Sequence, residues 1–91
     1  MNIDQMERVV RLRLKHHEGE TFQQVRGQSF TYILKGETLV PSTTEWNIAP
    51  SQVRKALELM PVRTVSELTG LQAPSYLFAL LMDPRIRQGL Y

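Results

Sequence analysis

The chain contains no cysteine, which excludes disulfide frameworks, thiolate zinc sites and thiol nucleophiles. It also lacks any apolar run approaching the roughly 18 residues that a membrane-spanning helix requires. No apolar stretch precedes a small-residue cleavage site near the amino terminus. We therefore expect a soluble, cytoplasmic protein that has no membrane among its partners.

The excess of positive over negative charge is also small. Eleven Lys and Arg residues, eight of them Arg, stand against nine Asp and Glu residues, and the formal net charge is only +2. This surplus permits an anionic partner without requiring one. With 91 residues, of which 42% are hydrophobic and 22% charged, the chain has the size and composition of one globular domain over residues 1–91.

Apolar periodicity predicts an α+β fold, in which an N-terminal helix covers a three-stranded antiparallel meander and three C-terminal helices follow. Gly27 and Gly36 stand at the two hairpin corners, where a residue that accepts positive φ is needed. The predicted elements are a helix at 2–17, strands at about 21–26, 29–35 and 37–40, and helices at about 50–60, 64–69 and 74–82.

Charged residues on the first helix are spaced for ion pairs along its outer face. Asp4 precedes Arg8 by four residues, and Glu7 precedes Arg11 by four. The acid-first order is the favourable one on a helix. We expect a solvated, salt-bridged face there rather than a phosphate-binding stripe.

The segment 74–82, PSYLFALLM, is apolar on every side, so it must be buried all round or lie against another chain. That apolar load is large for one small core. It favours a non-catalytic binding module, a small regulator or accessory protein that contacts another protein or forms a homodimer. The predicted protein interface consists of Tyr76, Leu77, Phe78, Leu81 and Trp46.

The only tryptophan, Trp46, lies in a polar loop that runs from Ser42 to Asn47. An aromatic side chain among hydrogen-bonding groups on a loop is typical of recognition surfaces. The competing interpretation is that Trp46 packs as a lid over the core.

The segment 62–81 resembles the helix-turn-helix motif of DNA-binding proteins. Ser66 precedes Gly70 by four residues, and the apolar Leu71 follows that glycine, as the motif prefers. The resemblance implies DNA recognition by the second helix. Yet its outward positions, Leu77 and Phe78 among them, are apolar and cannot hydrogen-bond base edges. We therefore favour a core or interface helix for this segment.

A second resemblance covers more of the chain. The tripeptide FTY at 30–32, a later Ile-x-x-Ser-Gln-x-x-x-Ala-Leu at 48–57 and PSYLFALLMDPRI at 74–86 resemble short bacterial proteins of no assigned function. The resemblance implies a bacterial origin and no functional residue.

Nucleic-acid binding is the alternative function, because basic residues mark the hairpin corners and the C-terminal half. A phosphate-binding surface would form if these residues converged, and its affinity would fall steeply as salt rises. The candidate residues are Arg26, Lys35, Arg54, Arg63, Arg85 and Arg87.

Catalysis and metal binding find little support in the sequence. Only two histidines are present, His16 and His17, and adjacent helical residues project about 100° apart, so one ion cannot readily take both. No Gly-x-Ser-x-Gly and no phosphate-cradling glycine loop occurs. We therefore expect no enzyme activity, no cofactor and no metal.

Overall fold

The computed structural model describes all 91 residues, and its helices and antiparallel strands form an α+β fold. The elements are α1 (Ile3–His16), β1 (Phe22–Gln23), β2 (Ser29–Phe30), β3 (Tyr32–Lys35), β4 (Thr38–Pro41), α2 (Pro50–Glu58), a 3-10 helix (Val65–Leu68), α3 (Pro74–Leu81) and α4 (Pro84–Arg87). None of the helices is both long enough and apolar enough to cross a membrane.

Helix α1 begins where its sequence provides a reciprocal cap. The side chain of Asn2 accepts the N–H of Gln5 at 2.9 Å, and the side chain of Gln5 accepts the N–H of Asn2 at 3.2 Å. Val10 and Leu14 on its apolar face are buried. This capping satisfies main-chain donors that a helix start leaves without partners, and burial of the apolar face holds the helix on the core.

One of the two predicted ion pairs on α1 forms. Glu7 and Arg11 meet at 2.8 Å, as the spacing predicts. The predicted pair of Asp4 with Arg8 is wrong, because Asp4 instead reaches Arg54 on α2 at 2.7 Å. A contact between helices replaces the contact within one helix.

The three-stranded meander predicted from the sequence is wrong, because the strands form two separate two-stranded antiparallel sheets. Phe22 pairs with Phe30 in the β1–β2 sheet, and Tyr32 pairs with Pro41 in the β3–β4 sheet. At Thr31, between β2 and β3, both main-chain groups turn to Ser42: the Thr31 N–H donates to the Ser42 hydroxyl at 3.0 Å, and the Thr31 carbonyl accepts the Ser42 N–H at 2.8 Å. The predicted strand 29–35 is therefore divided at Thr31.

The first predicted strand, 21–26, is also shorter than expected. Residues after Gln23 form a turn instead, in which the Gln24 N–H donates to the Gln28 carbonyl at 2.9 Å and Gly27 takes a φ of +88°. Gly36 closes the β3–β4 turn with a φ of +61°, so both glycine corners are confirmed.

A single cluster of seventeen buried apolar side chains forms the core. Phe22 lies between Phe30 and Tyr32, with ring centroids 6.3 Å and 5.6 Å away, so both small sheets contribute to the same aromatic layer. The hydroxyl of the buried Tyr32 donates to the carbonyl of Leu14 on α1. Aromatic packing and this hydrogen bond together join α1 to the strands.

Helix α3 is the most buried element of the molecule. It packs against the 3-10 helix, α2, α4 and β1, and its Leu77, Leu80 and Leu81 have no exposed surface. Neighbours on every side explain why the segment 74–82 is apolar all round. The apolar side chains that suggested an external partner are therefore largely buried within the same chain.

The C-terminal half holds one helix more than predicted. The segment expected as a helix at 64–69 is a 3-10 helix at Val65–Leu68, so the first α-helix of a helix-turn-helix is not present. Helix α4 was not predicted; the side chain of Asp83 caps it by accepting the Arg85 N–H at 2.9 Å. Together with α2 and α3, these give four C-terminal helices in place of three.

Candidate functional site

Three of the six basic residues proposed for nucleic-acid binding are engaged in contacts within the fold. Arg54 on α2 bonds the carboxylates of Asp4 at 2.7 Å and Glu7 at 3.0 Å, which ties α2 to α1. Arg87 donates to the main-chain oxygen of Tyr91 at 3.0 Å. These guanidinium groups are therefore engaged in contacts within the fold.

Arg85 is the most completely engaged of them. Its guanidinium bonds the Asp83 carboxylate at 3.0 Å, Glu20 at 3.2 Å and the Thr21 carbonyl at 2.9 Å, and it lies 3.6 Å above the Phe22 ring. Partial burial alone would raise the pKa of Asp83, but the hydrogen bonds from Arg85 outweigh it and the pKa of Asp83 is lowered. Arg85 therefore joins α4 to the β1 hairpin.

Two of the predicted cations, Arg26 and Arg63, line one cleft with a volume of about 740 Å³. We name it the arginine cleft. It lies between the β1–β2 turn, the segment that leads into the 3-10 helix, and α3. Its polar and apolar walls include Arg26, Arg63, Thr64, Ser66, Ser75 and Phe78, and no acidic side chain lines it. Lys35, the remaining candidate, is exposed at the end of β3 and lies outside the cleft.

The backbone at the arginine cleft is fixed by Glu67. Its carboxylate accepts the main-chain N–H of Arg63 at 2.6 Å and that of Thr64 at 2.9 Å. These main-chain hydrogen bonds favour the ionised form, so the pKa of Glu67 is lowered. The carboxylate of Glu67, the acidic residue nearest to Arg63 in sequence, is thus hydrogen-bonded to main-chain donors.

A second cavity, of about 520 Å³, lies between α1, the β3–β4 sheet and α2. Charges of both signs line it, and several of them neutralise one another. Arg11 bonds Glu7 at 2.8 Å and Glu37 at 2.7 Å within this cavity. The mixture gives this groove no preference for anions or cations, in contrast to the arginine cleft.

The Trp46 loop, residues 42–47, displays an exposed indole between two ends that are hydrogen-bonded into the fold. The side chain of Trp46 is 63% exposed, so the prediction of a lid over the core is wrong. Ser42 is bonded to Thr31 as described above, and the Thr43 hydroxyl meets the Tyr76 hydroxyl at 2.8 Å. After the loop, Ile48 exchanges main-chain hydrogen bonds with Leu39 at 2.8 Å and 3.0 Å.

The predicted protein interface on α3 is largely internal. Leu77 and Leu81 are fully buried, so they cannot meet a partner, because α3 has neighbours on all sides. Tyr76 is half-buried with its ring against Phe30, edge to face, at 4.8 Å. Phe78 is half-buried in the wall of the arginine cleft. Of the five predicted interface residues, Trp46 alone is an exposed one.

The histidines are accounted for by local contacts. Nδ1 of His17 lies 2.8 Å from the Glu20 carboxylate, and the rings of His16 and His17 meet edge to face at 4.9 Å. This hydrogen bond from His17 lowers the pKa of Glu20. The chain holds no group of three or more His, Cys, Asp or Glu side chains that could hold a metal ion.

The sequence did not predict a shared binding site for three hydroxyl residues of the arginine cleft, Thr64, Ser66 and Ser75. They are remote from Arg26 along the chain, and only the packing of α3 against the β1 hairpin brings them together. No pattern in the sequence marks that convergence. Comparisons of the chain with protein-family models, with curated proteins and with solved structures return no match, so its function has to be inferred from its geometry.

Proposed function

We propose that this protein is a non-catalytic binding module that recognises another protein through the Trp46 loop. The observation that carries the proposal is the 63% exposure of the indole on a loop whose two ends are tied into the fold. Tryptophan is among the residues that most often dominate protein interfaces when they are buried there.

The anchored ends of the loop favour recognition over simple exposure. Binding costs free energy for every loop that must be ordered, and hydrogen bonds at Ser42, Thr43 and Ile48 reduce that cost by holding both ends of this one. The loop also presents the hydroxyls and amides that suit the polar rim of an interface. A partner that fits would offer an apolar pocket for the indole, with an acceptor for its N–H.

The groups with a shifted pKa act within the fold. Glu20, Glu67 and Asp83 are engaged in contacts that hold it, and none of them lines either of the two cavities described above.

Since Trp46 is the only tryptophan, its fluorescence tests the proposal directly. A photo-crosslinking amino acid at the exposed position of Asn47, beside the indole, identifies the partner, and the partner is then purified and titrated into the native protein. We expect the indole emission to shift to shorter wavelength and to become protected from a soluble quencher, because the indole leaves water.

The Trp46→Ala variant measures how much the indole contributes. We expect this variant to bind the purified partner with a loss of about 2 kcal/mol or more, roughly thirtyfold in Kd, as for interface hot spots. Leu59→Ala is the matched control, because Leu59 is another exposed apolar side chain, at the end of α2. Equal binding by wild type and Trp46→Ala would contradict the proposal.

Self-association through the same loop is a separate outcome of this experiment. Sedimentation velocity over a range of protein concentrations detects it, and Trp46→Ala would abolish it. The burial of Leu77 and Leu81 removes the reason for expecting a homodimer through α3. We therefore propose a different protein as the partner, and a dimer that depends on Trp46 would replace that proposal.

A further inference from the structure

We propose that the arginine cleft is a binding site for a small phosphate-bearing molecule, a phosphomonoester with an organic body of modest size. This site is separate from the Trp46 loop and does not depend on the function proposed for it. It is defined by Arg26 and Arg63, the hydroxyl residues Thr64, Ser66 and Ser75, and the aromatic wall at Phe78.

The first argument is that the fold leaves these two guanidinium groups without partners. Five other arginines are bonded within the chain, three of them to carboxylates and two to main-chain oxygens: Arg11, Arg54 and Arg85, and Arg13 and Arg87. Arg8, Arg26 and Arg63 make no side-chain hydrogen bond or ion pair, and the last two line one cleft whose walls include no acidic side chain. The nearest carboxylate, that of Glu67, accepts the main-chain N–H groups of Arg63 and Thr64. An anion bound in the cleft would gain from the charges of both arginines.

The hydroxyl groups supply donors of the kind that phosphate oxygens accept. The hydroxyls of Thr64 and Ser66 lie 2.7 Å apart and share one hydrogen bond, and the Thr64 side chain is also bonded to the Glu67 carboxylate. Ser75, at the start of α3, adds another hydroxyl to the lining of the cleft. Guanidinium groups bind phosphate oxygens in a bidentate manner, and neutral hydroxyls complete the shell.

The size of the cleft and the position of the remaining cations favour a small ligand over a nucleic acid. A volume of about 740 Å³ is typical of small-molecule sites. A nucleic acid needs a series of cations along its backbone. Here Arg54, Arg85 and Arg87 are bonded to groups of the same chain, and Arg8 lies in the other groove among Asp4, Glu7 and Glu37.

The apolar part of the cleft indicates that the ligand carries more than a phosphate. Val25 on the β1–β2 turn is 68% exposed, and Val65 and Phe78 line the same cleft. Contact with an organic group would shield these side chains from water. We therefore expect an aromatic phosphomonoester to bind more tightly than inorganic phosphate.

Two probes, phenyl phosphate and inorganic phosphate, test the site by NMR at constant ionic strength set with chloride. We expect saturable shifts of the main-chain amides of the β1–β2 turn and of residues 63–66, with phenyl phosphate the tighter probe. The double variant Arg26→Gln, Arg63→Gln should weaken phenyl phosphate by about tenfold or more. Arg8→Gln, at an unpaired arginine outside the cleft, should leave the affinity unchanged.

Three results would overturn the proposal. They are shifts that do not saturate, shifts spread equally over basic residues outside the cleft, and equal binding by wild type and the double variant. A short oligothymidylate is the third probe. If it binds through the same arginines more than about tenfold tighter than phenyl phosphate, with a steep salt dependence, the site belongs to a nucleic acid and the small-molecule assignment fails.

Discussion

At residue 73 the backbone takes a left-handed conformation with a φ of +46° and a ψ of +58°, although the residue is alanine. The left-handed region costs an L residue roughly 1 kcal/mol or more, while glycine adopts it freely. We expect Ala73→Gly to raise the free energy of unfolding by about 0.5 kcal/mol, since the added flexibility of the unfolded chain offsets part of the gain. Urea unfolding measures the difference.

A substitution that disfavours the left-handed conformation provides the control for this position. Ala73→Val places a β-branched side chain in the left-handed region and should lower the free energy of unfolding by about 1 kcal/mol or more. Ala73 packs partly against the core, so loss of its methyl group works against the glycine variant. If glycine destabilised the protein as much as valine does, packing rather than conformation would govern this residue.

At the scale of elements, the sequence predicts helices with local determinants far better than strands. Helix α1 was expected at 2–17 and lies at Ile3–His16, because its cap and its apolar spacing are all within the helix. Helix α3 was expected at 74–82 and lies at Pro74–Leu81. The strand expected at 29–35 is divided because Thr31 bonds with Ser42, eleven residues away, and no local pattern records that partner.

The same difference in scale applies to the candidate sites. Trp46 could be singled out as a recognition residue because its loop is polar and continuous in sequence. Arg26 and Arg63 could be singled out as cations, but their shared cleft depends on how α3 packs against the β1 hairpin. Arg54 and Arg85 likewise bond remote partners, Asp4 and Glu20, that no local pattern records.

Arg85 joins two elements, α4 and β1, and this joint can be tested by a conservative substitution. Lysine keeps the charge but cannot hold Asp83, the Thr21 carbonyl and the Phe22 ring together, because it lacks the planar fork. We expect Arg85→Lys to lower the free energy of unfolding by about 1–2 kcal/mol. Urea unfolding at neutral pH measures the loss.

Arg8→Lys is the matched control for the joint, because Arg8 is exposed and unpaired. The same substitution there should change the free energy of unfolding by less than about 0.5 kcal/mol. Similar effects at the two positions would mean that the contacts of Arg85 contribute little to stability.

At the scale of the whole molecule, one core serves as the support for two separate candidate surfaces. The longest apolar segment, α3, is largely buried in the core. Neither candidate surface is therefore an apolar patch that this segment leaves exposed. The Trp46 loop and the arginine cleft both contact α3, through Tyr76 in one case and through Ser75 and Phe78 in the other. The largely buried helix α3 thus positions both surfaces, and variants on either one should leave the fold intact.

Acid stability also depends on the molecule as a whole, since three carboxylates from different elements have a lowered pKa: Glu20, Glu67 and Asp83. Their unfolded values lie at about 4.5, 4.5 and 3.8, so between those values and the lowered folded ones the unfolded chain binds more protons. The stability they contribute is fully present above the unfolded pKa values. It is lost as pH falls through the folded ones, so the free energy of unfolding should decline below about pH 5.

Asp83→Asn isolates one of these contributions. Asparagine can still cap α4, but it loses the ion pair with Arg85, so we expect about 1 kcal/mol less stability at neutral pH and a shallower decline in acid. Glu45→Gln, on the Trp46 loop and without an ion pair, should follow the wild-type curve. Urea unfolding from neutral pH to about pH 3 compares the three proteins. A curve for Asp83→Asn that runs parallel to the wild type would show that the charge of Asp83 does not contribute to the acid limb, because a lowered folded pKa requires the two curves to converge as pH falls.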